Sequence, residues 1–383
     1  MIRLALASSL LLVLMLPVTA SANPVDSING NPVSVAMTVS ATTGQPFVQQ
    51  AWFYKPPVDG NLMPVVENFN TFILTNNDEA VRDNMKALGK TGPFLQYLRF
   101  EAIQDPGSCS AQPWRNQVAN QPGDFCRISQ EHPDWFLLDA YGNRMQQDPG
   151  YYRMDPGNTG WQAFWLERAR ITQEQLEWDG IFLDNVQASV VHNRLPHTPT
   201  MQYPDTASFQ AAVEQFLAYL SNSYFRPQGR PLYGNIVDQD NDATWYRYSQ
   251  YLDGAMEEGW AVDWRNGFRT TEDWLSHLDR AEQMQAQGKH VILVSQGSRS
   301  DNLREDFAFA SYLLVTSGNA SFRYTNYNNY NEVWPEHNQL VDLGQPLGTR
   351  YFDGTTWRRD YTGGFVTINP ITHAVEIQST SGL

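Results

Sequence analysis

Short apolar runs that alternate with amphipathic segments constrain the fold of this chain more than any other feature. The clearest run, Gly-Ile-Phe-Leu at residues 180–183, ends on the carboxylate of Asp184. Seven further runs have the composition of β-strands, at residues 51–54, 71–75, 93–103, 231–236, 254–260, 290–295 and 320–324. Most of them are separated by segments with apolar residues at helical spacing. The pattern predicts an α/β fold, a closed (β/α)₈ TIM barrel.

The first 22 residues have the pattern of a signal peptide. Arg3 precedes an apolar run over residues 4–18, and the small-residue motif Ala-Ser-Ala follows at residues 20–22. No later segment approaches the roughly 20 apolar residues that a membrane-spanning helix needs. We predict that residues 1–22 are removed and that the mature protein is secreted or periplasmic.

The rest of the chain divides into three predicted parts. Residues 23–48 lack strong periodicity and form a predicted N-terminal extension. The barrel is expected over residues 49–340. From residue 341 to residue 383 the pattern changes to short strands joined by Asp-Gly and Gly-Gly turns, which favour hairpins. We therefore predict a small C-terminal antiparallel β appendage.

A long insertion at residues 104–152 follows the third predicted strand and contains both cysteines, Cys109 and Cys126. In an oxidising compartment this pair predicts a disulfide, worth roughly 3 kcal/mol if it is unstrained. A loop of this length on a compact domain is usually functional. Two cysteines without nearby histidines do not complete a zinc site. His192 and His197 are close in sequence, but we expect solvated loop residues there, and we predict neither metal nor cofactor.

Charge and aromatic content narrow the class of partner. The formal net charge of −15 argues against nucleic acid, which requires a basic surface, and against an anionic membrane surface. The chain has 12 tryptophans and 18 tyrosines, whose rings can stack on the apolar faces of sugars. These features favour a carbohydrate partner, whereas the sequence contains no signal for the oligomeric state.

Acidic residues at two predicted strand ends are the candidates for catalysis. Asp184 ends the fourth strand, and Glu257 and Glu258 lie near the end of the sixth. Two carboxylates across a barrel mouth can cleave a glycosidic bond, one as nucleophile or base and the other as general acid. Because neighbouring strand residues face opposite ways, only one of the two glutamates can point into the mouth.

Other polar residues near predicted strand ends are candidates for binding sugar hydroxyls or orienting the acids. They are Tyr54, Arg99, Asn235 and Gln296, and Glu257 joins them if Glu258 is the acid. For each, packing inside the barrel or hydrogen bonding at its rim is an equally good explanation of the sequence.

Three segments resemble a known family when they are taken in order. They are Trp-Asp-Gly-Ile-Phe-Leu-Asp-Asn at residues 178–185, Leu-Asp-Gly-Ala-Met-Glu-Glu-Gly-Trp at residues 252–260 and Trp-Arg-Arg-Asp-Tyr-Thr-Gly-Gly-Phe-Val-Thr-Ile-Asn-Pro at residues 357–370. The chain resembles glycoside hydrolases of the hypothetical glycosyl hydrolase 15 type, which are similar to the barrels of endo-α-1,4-polygalactosaminidases.

This resemblance implies a glycoside hydrolase with Asp184 as the strand-four acid and Glu258 as the strand-six glutamate, and the signal-peptide pattern predicts that this enzyme is exported. Glu257 stands where the family pattern has a non-acidic residue, so the choice between the two glutamates stays open. The insertion with the cysteines matches no part of that pattern. Two other functions remain open, a glycan-binding barrel without turnover and a hydrolase of another bond.

Overall fold

A computed structural model describes residues 47–190, 200–237, 242–263, 267–326, 329–334 and 343–379. The predicted signal peptide, nearly all of the predicted N-terminal extension, and both His192 and His197 lie outside these residues. Over the described ranges, no helix is both long enough and apolar enough to cross a bilayer.

Fifteen strands are present in the described residues. In chain order they are β1 (Gln49–Phe53), β2 (Thr71–Leu74), β3 (Phe94–Arg99), β4 (Ala102–Gln104), β5 (Gln146–Asp148), β6 (Tyr151–Arg153), β7 (Gly180–Gln187), β8 (Leu232–Val237), β9 (Gly254–Glu258), β10 (His290–Gln296), β11 (Ala320–Thr325), β12 (Tyr351–Phe352), β13 (Trp357–Tyr361), β14 (Gly364–Ile368) and β15 (Val375–Ser379).

Eight of these strands form a closed parallel barrel in the order β1-β2-β3-β7-β8-β9-β10-β11, and β11 pairs with β1 to close it. The helices are α1 (Met63–Asn68), α2 (Glu79–Ala87), α3 (Asp124–Glu131), α4 (Thr159–Gln175), α5 (Thr206–Leu220), α6 (Asp242–Ser249), α7 (Thr271–Ala286) and α8 (Asn302–Val315). Because helices lie between most of the barrel strands, the predicted (β/α)₈ TIM barrel is confirmed.

Alternation along the strands separates a small inner core from a larger outer one. The inner core consists of side chains from the inward faces, such as Phe182, Tyr233 and Met256. Gly254 is required beside them, because a Cβ at this position would lie 2.6 Å from the ring of Tyr233. The outward faces pack against the helices, as expected for strands that are buried on both sides.

Two predicted strands are longer than the observed ones. The third was predicted over residues 93–103, but β3 ends at Arg99, and residues 102–104 form β4, which pairs antiparallel with β6 in a separate three-stranded sheet. The sixth was predicted to reach Trp260, but β9 ends at Glu258. Gly259 then has φ +90°, a left-handed conformation that glycine adopts without steric cost and that ends the extended chain.

The insertion is an ordered substructure beside the barrel. It contains the sheet of β4, β6 and β5, the helix α3, and the predicted disulfide between Cys109 and Cys126, which is confirmed with a Cα–Cα distance of 5.6 Å. The bond joins the loop after β4 to α3, so it fixes the loop that precedes the helix.

The predicted C-terminal appendage is the antiparallel sheet of β12, β13, β14 and β15. One face packs on α8: Val366 and Ile368 are fully buried, and Arg359 donates hydrogen bonds to the carbonyls of Leu313 (3.2 Å) and Thr316 (2.6 Å) at the end of that helix. The guanidinium therefore satisfies carbonyls that the last turn of a helix leaves without intrahelical partners.

Candidate active site

Two carboxylates lie at the C-terminal ends of barrel strands and face its interior. Asp184 on β7 lies two residues after Phe182, and Glu258 on β9 lies two residues after Met256, both of which belong to the inner core. Strand residues two apart point to the same face, so the inward direction of each acid follows from the strand pattern. In barrels of this kind the C-terminal ends of the strands form the functional mouth.

A β-bulge lies at the first acid. The register between β7 and β8 shifts between Leu183 and Val186, so that Asp184 and Asn185 together oppose Asn235. Asn185 has φ +57°, which is uncommon for a residue other than glycine. Bulges occur often next to active sites because they redirect a side chain.

The side-chain amide of Asn235 joins the two acids. Its Nδ2 donates to Oδ1 of Asp184 at 3.1 Å and to Oε2 of Glu258 at 2.8 Å. The two carboxylate oxygens that share this NH₂ group are therefore at most about 6 Å apart. Asn235 is only 1% exposed, so its amide is held in a fixed position by the barrel wall.

A second donor serves Asp184 from β3. The hydroxyl of Tyr97 donates to Oδ2 of Asp184, and the ring of Tyr54 stacks on Tyr97 with centroids 4.9 Å apart. Burial raises the pKa of Tyr97 well above its usual value, and the charge of Asp184 raises it further. The phenol therefore keeps its proton and remains a hydrogen-bond donor.

Neutral groups surround Glu258. Its Oε1 accepts a hydrogen bond from the hydroxyl of Tyr330 at 2.8 Å and one from Nε2 of Gln296 at 3.3 Å. Burial raises the pKa of Glu258 to about 7, and the nearby charge of Asp184 also raises it. A carboxyl group with this pKa carries a proton for a large part of the time near neutral pH, as a general acid must.

A third carboxyl group, that of Glu101, lies behind the bulge. Its Oε1 accepts from Nδ2 of Asn185 at 3.1 Å and lies 3.4 Å from Nε of Arg99. Burial raises the pKa of Glu101 to about 7, against the effect of Arg99 and with a smaller contribution from the charge of Asp184. Glu101 therefore contacts Asn185, the residue that follows Asp184.

The structure brings together most of the residues predicted from the sequence. Asp184, Glu258, Asn235 and Gln296 form one hydrogen-bonded group, and Tyr54 reaches it through the ring of Tyr97. Arg99 lies beside Glu101 and donates to Oδ2 of Asp148 in the insertion at 2.8 Å.

Glu257 is the exception, because it does not face the mouth. Its Oε2 accepts a hydrogen bond from Arg280 on α7, and its Oε1 lies 3.5 Å from Nδ1 of His277 on the same helix. The prediction that Glu257 joins the residues of the mouth is wrong. Of the two glutamates, Glu258 is the one whose side chain lies beside Asp184.

Three residues of the site were absent from the predicted set. Tyr97 shares the inward face of β3 with Arg99, so the alternation of that strand was a usable signal. Glu101 follows β3 by two residues, but the strand has already ended there. Tyr330 follows β11 and reaches Glu258 across 72 residues of sequence, and no local pattern indicates this contact.

The described part of the chain contains no group of three or more His, Cys, Asp or Glu side chains arranged to hold a metal ion. The carboxyl groups described above can act in acid–base and nucleophilic chemistry, with Glu258 beside neutral donors and Asp184 beside an amide and a phenol.

Comparison with protein families identifies the class of enzyme. The model of the hypothetical glycosyl hydrolase family 15 matches residues 109–365, which include both Asp184 and Glu258. The chain belongs to this family. It is a glycoside hydrolase, and its substrate is a carbohydrate. The match begins at the first cysteine of the insertion and ends in β14, so the family covers part of the C-terminal sheet as well as most of the barrel.

Solved structures with a similar fold include other enzymes of carbohydrate metabolism. The glycoside hydrolase domain of PelA from Pseudomonas aeruginosa is 15% identical, with a TM-score of 0.48 over 75% of this chain and 96% of that one. A noncanonic maltogenic α-amylase, AmyB from Thermotoga neapolitana, is 11% identical, with a TM-score of 0.48 over 85% of this chain and 86% of that one. No curated protein matches the sequence.

Proposed function

We propose that this glycoside hydrolase cleaves its substrate with Asp184 as the nucleophile and Glu258 as the general acid and base. The observation that carries the proposal is the amide of Asn235, which donates to both carboxylates and holds them together at the barrel mouth. The difference in their surroundings supports the division of roles, because two neighbouring acids must differ in protonation to do different work.

The short separation of the acids favours retention of configuration. Retaining glycosidases have carboxyl groups about 5–5.5 Å apart, whereas inverting enzymes leave about 6.5–9.5 Å to admit a water molecule. The shared amide keeps Oδ1 of Asp184 and Oε2 of Glu258 within about 6 Å of each other, a separation that favours the retaining arrangement.

The reaction then follows in two steps. In the first, an oxygen of Asp184 forms a bond to the anomeric carbon while the glycosidic bond breaks, and Glu258 gives its proton to the departing oxygen. In the second, Glu258 takes a proton from water, the water oxygen bonds to the anomeric carbon, and Asp184 leaves as a carboxylate. The donors from Tyr97 and Asn235 stabilise the negative charge that returns to Asp184.

The test is hydrolysis of a broad panel of polysaccharides by the purified protein, with products separated and identified by mass spectrometry. We expect Asp184→Asn to lower the rate on the cleaved polymer by about 10³-fold or more. NMR spectra of the first products should contain the anomer of the same configuration as the substrate. Activity of Asp184→Asn within tenfold of the native rate contradicts the proposal, and inverted first products contradict the retaining mechanism.

Asp179→Asn is the matched control. It makes the same chemical change at the opposite end of the barrel wall, where Asp179 accepts from the backbone N–H of Phe94 at 2.8 Å and lies 3.4 Å from Lys86. Its folded form should keep the native rate. Binding of glycans without any product from the native protein supports a glycan-binding barrel instead.

We also propose that the protein acts outside the cytoplasm. The apolar run over residues 4–18 with its Ala-Ser-Ala motif supports export, and so does the disulfide between Cys109 and Cys126, since disulfides persist in oxidising compartments. N-terminal sequencing of the protein from the culture medium or periplasm tests this, and a mature chain that begins after residue 22 is the expected result.

A further inference from the structure

A groove of about 750 Å³ opens beside the carboxylate pair. The ends of β1 and β2 form one side, and residues 112–116 of the insertion form the other. Tyr54 lines the groove, and its ring stacks on Tyr97, the donor to Asp184. One pair of stacked rings therefore lies between the groove and the nucleophile.

Two cations line this groove. Nζ of Lys55 lies 5.0 Å from the ring centroid of Tyr54 and 5.9 Å from that of Trp114. Arg115 is exposed and donates a hydrogen bond to Oδ1 of Asn77. Within the described ranges neither cation has a carboxylate within 4 Å, although the formal net charge of the chain is −15. The groove therefore contains two positively charged side chains, although the protein as a whole carries a negative net charge.

One acidic residue, Asp78, also lines the groove. Oδ2 of Asp78 accepts hydrogen bonds from the backbone N–H of Thr75 at 2.9 Å and from its hydroxyl at 2.6 Å. Burial raises the pKa of Asp78, whereas the hydrogen bonds from Thr75 and the charge of Lys55 oppose this rise. Two cations, Lys55 and Arg115, and one carboxyl group, Asp78, line the groove, so its lining keeps an excess of positive charge even when Asp78 is ionised.

The backbone on the side of the groove formed by the ends of β1 and β2 has uncommon conformations. Lys55 has φ +72° and Asn77 has φ +93°, in the left-handed region that residues other than glycine seldom occupy. The indole N–H of Trp52 donates to the carbonyl of Lys55 at 2.7 Å and keeps it there. Such conformations cluster at ligand-binding sites, where the surrounding structure maintains them.

Trp114 supplies an aromatic surface with a fixed backbone. Its side chain is 60% exposed, whereas its N–H donates to Oε1 of Gln104 at 2.7 Å. The disulfide between Cys109 and Cys126 further restrains this loop. A large exposed ring on a restrained loop at the edge of a groove offers a face for stacking at little entropic cost.

We propose that this groove binds a sugar unit that carries a carboxylate, adjacent to the unit that is cleaved. Trp114 stacks on the sugar ring, and Lys55 and Arg115 bind the carboxylate by charge-assisted hydrogen bonds. The substrate class is then an acidic polysaccharide rather than a neutral or cationic one. This inference rests on the proposed cleavage between Asp184 and Glu258.

The test uses the full-length Asp184→Asn protein, so that oligosaccharides bind without being cleaved. Trigalacturonate, tri-N-acetylchitotriose and triglucosamine serve as anionic, neutral and cationic ligands. Binding is followed by the NMR signal of the indole N–H of Trp114, which is identified by its loss in Trp114→Phe. We expect trigalacturonate to move this signal and to bind about tenfold more tightly than the neutral trimer, with the preference falling as salt is added.

Adding Lys55→Met and Arg115→Gln should remove the preference for the anionic trimer. Lys90→Met is the matched control, because Lys90 lies between α2 and the start of β3, at the opposite end of the barrel, and its loss should change nothing. Melting temperatures and the remaining NMR signals establish that each variant is folded.

Equal affinity for the anionic and neutral trimers, or a preference that survives loss of both cations, overturns the proposal. These results do not depend on turnover. If the catalytic assignment fails, the failure appears separately, as hydrolysis by Asp184→Asn in the polysaccharide panel.

Discussion

The two glutamates at the end of β9 are neighbours in sequence but have opposite surroundings. Glu257 faces outward, where Arg280 donates to one of its oxygens and His277 lies 3.5 Å from the other. Glu258 faces the barrel mouth, where its contacts are the neutral side chains of Asn235, Gln296 and Tyr330. Glu257 is buried, and Glu258 is partly buried.

This difference shows that burial alone does not make a catalytic acid. The buried carboxylate of Glu257 forms an ion pair with a guanidinium, which joins the strand to the helix. A buried carboxyl group beside neutral donors and another acid resists ionisation, and the pKa of Glu258 accordingly rises to about 7 because of burial and the charge of Asp184. The two outcomes occur at neighbouring residues of one strand because their side chains point to opposite faces of it.

The largest effect expected from this contrast is on turnover. Glu258→Gln keeps the shape of the side chain but removes its proton, so kcat/KM should fall by about 10²–10⁴-fold without a loss of thermal stability. Initial rates on the cleaved polymer measure the change. An aryl glycoside of the same sugar, whose leaving group needs no proton, should lose much less. An equal loss on both substrates contradicts the role of Glu258 as general acid.

The matched substitution on the other face should affect stability instead. Glu257→Gln removes the buried carboxylate partner of Arg280 but leaves its ion pair with Asp242, and we expect the free energy of unfolding to fall by about 2 kcal/mol. Urea denaturation measures this difference, while kcat of the folded variant should stay within a few-fold of the native value. A 100-fold loss of kcat in Glu257→Gln would break the contrast between the two faces.

The sequence predicted the fold well because the strands carry local signals. Apolar runs, several of which end in polar residues, marked the barrel strands, and alternation within β9 showed that only one of its two glutamates can face inward. The sequence did not decide which one, because that depends on the register of β9 in the closed barrel. The partners Arg280 and Asn235 that reveal the answer lie on α7 and β8.

The sequence did not predict the contacts made by residues outside the barrel strands, for a different physical reason. Tyr330 meets Glu258 because the chain after β11 returns over the mouth, and this path is set by packing rather than by any periodic pattern. Glu101 lies just after β3, where the chain leaves the barrel for the insertion. Because that strand was predicted to continue to residue 103, the sequence did not predict that Glu101 contacts Asn185.

The smallest expected effect concerns the pH dependence of turnover. Because Glu258 must be protonated to act as an acid and its pKa is raised to about 7, kcat/KM should fall as the pH rises through about 7. The hydroxyl of Tyr330 donates to the ionised form of Glu258 and so lowers this pKa. Tyr330→Phe should therefore move the alkaline limb to higher pH by a fraction of a unit, with a rate only several-fold lower.

Glu101 provides the control for this measurement, because burial raises its pKa to about 7 as well. If Glu258 is the titrating acid, kcat/KM of Glu101→Gln still falls as the pH rises through about 7. The residual kcat/KM of Glu258→Gln no longer shows this fall. A limb that persists in Glu258→Gln and disappears in Glu101→Gln would assign the titration to the carboxyl group behind the bulge. In that case Glu101, which follows β3, would be the titrating group, and the neutral surroundings of Glu258 would not explain the pH dependence of kcat/KM.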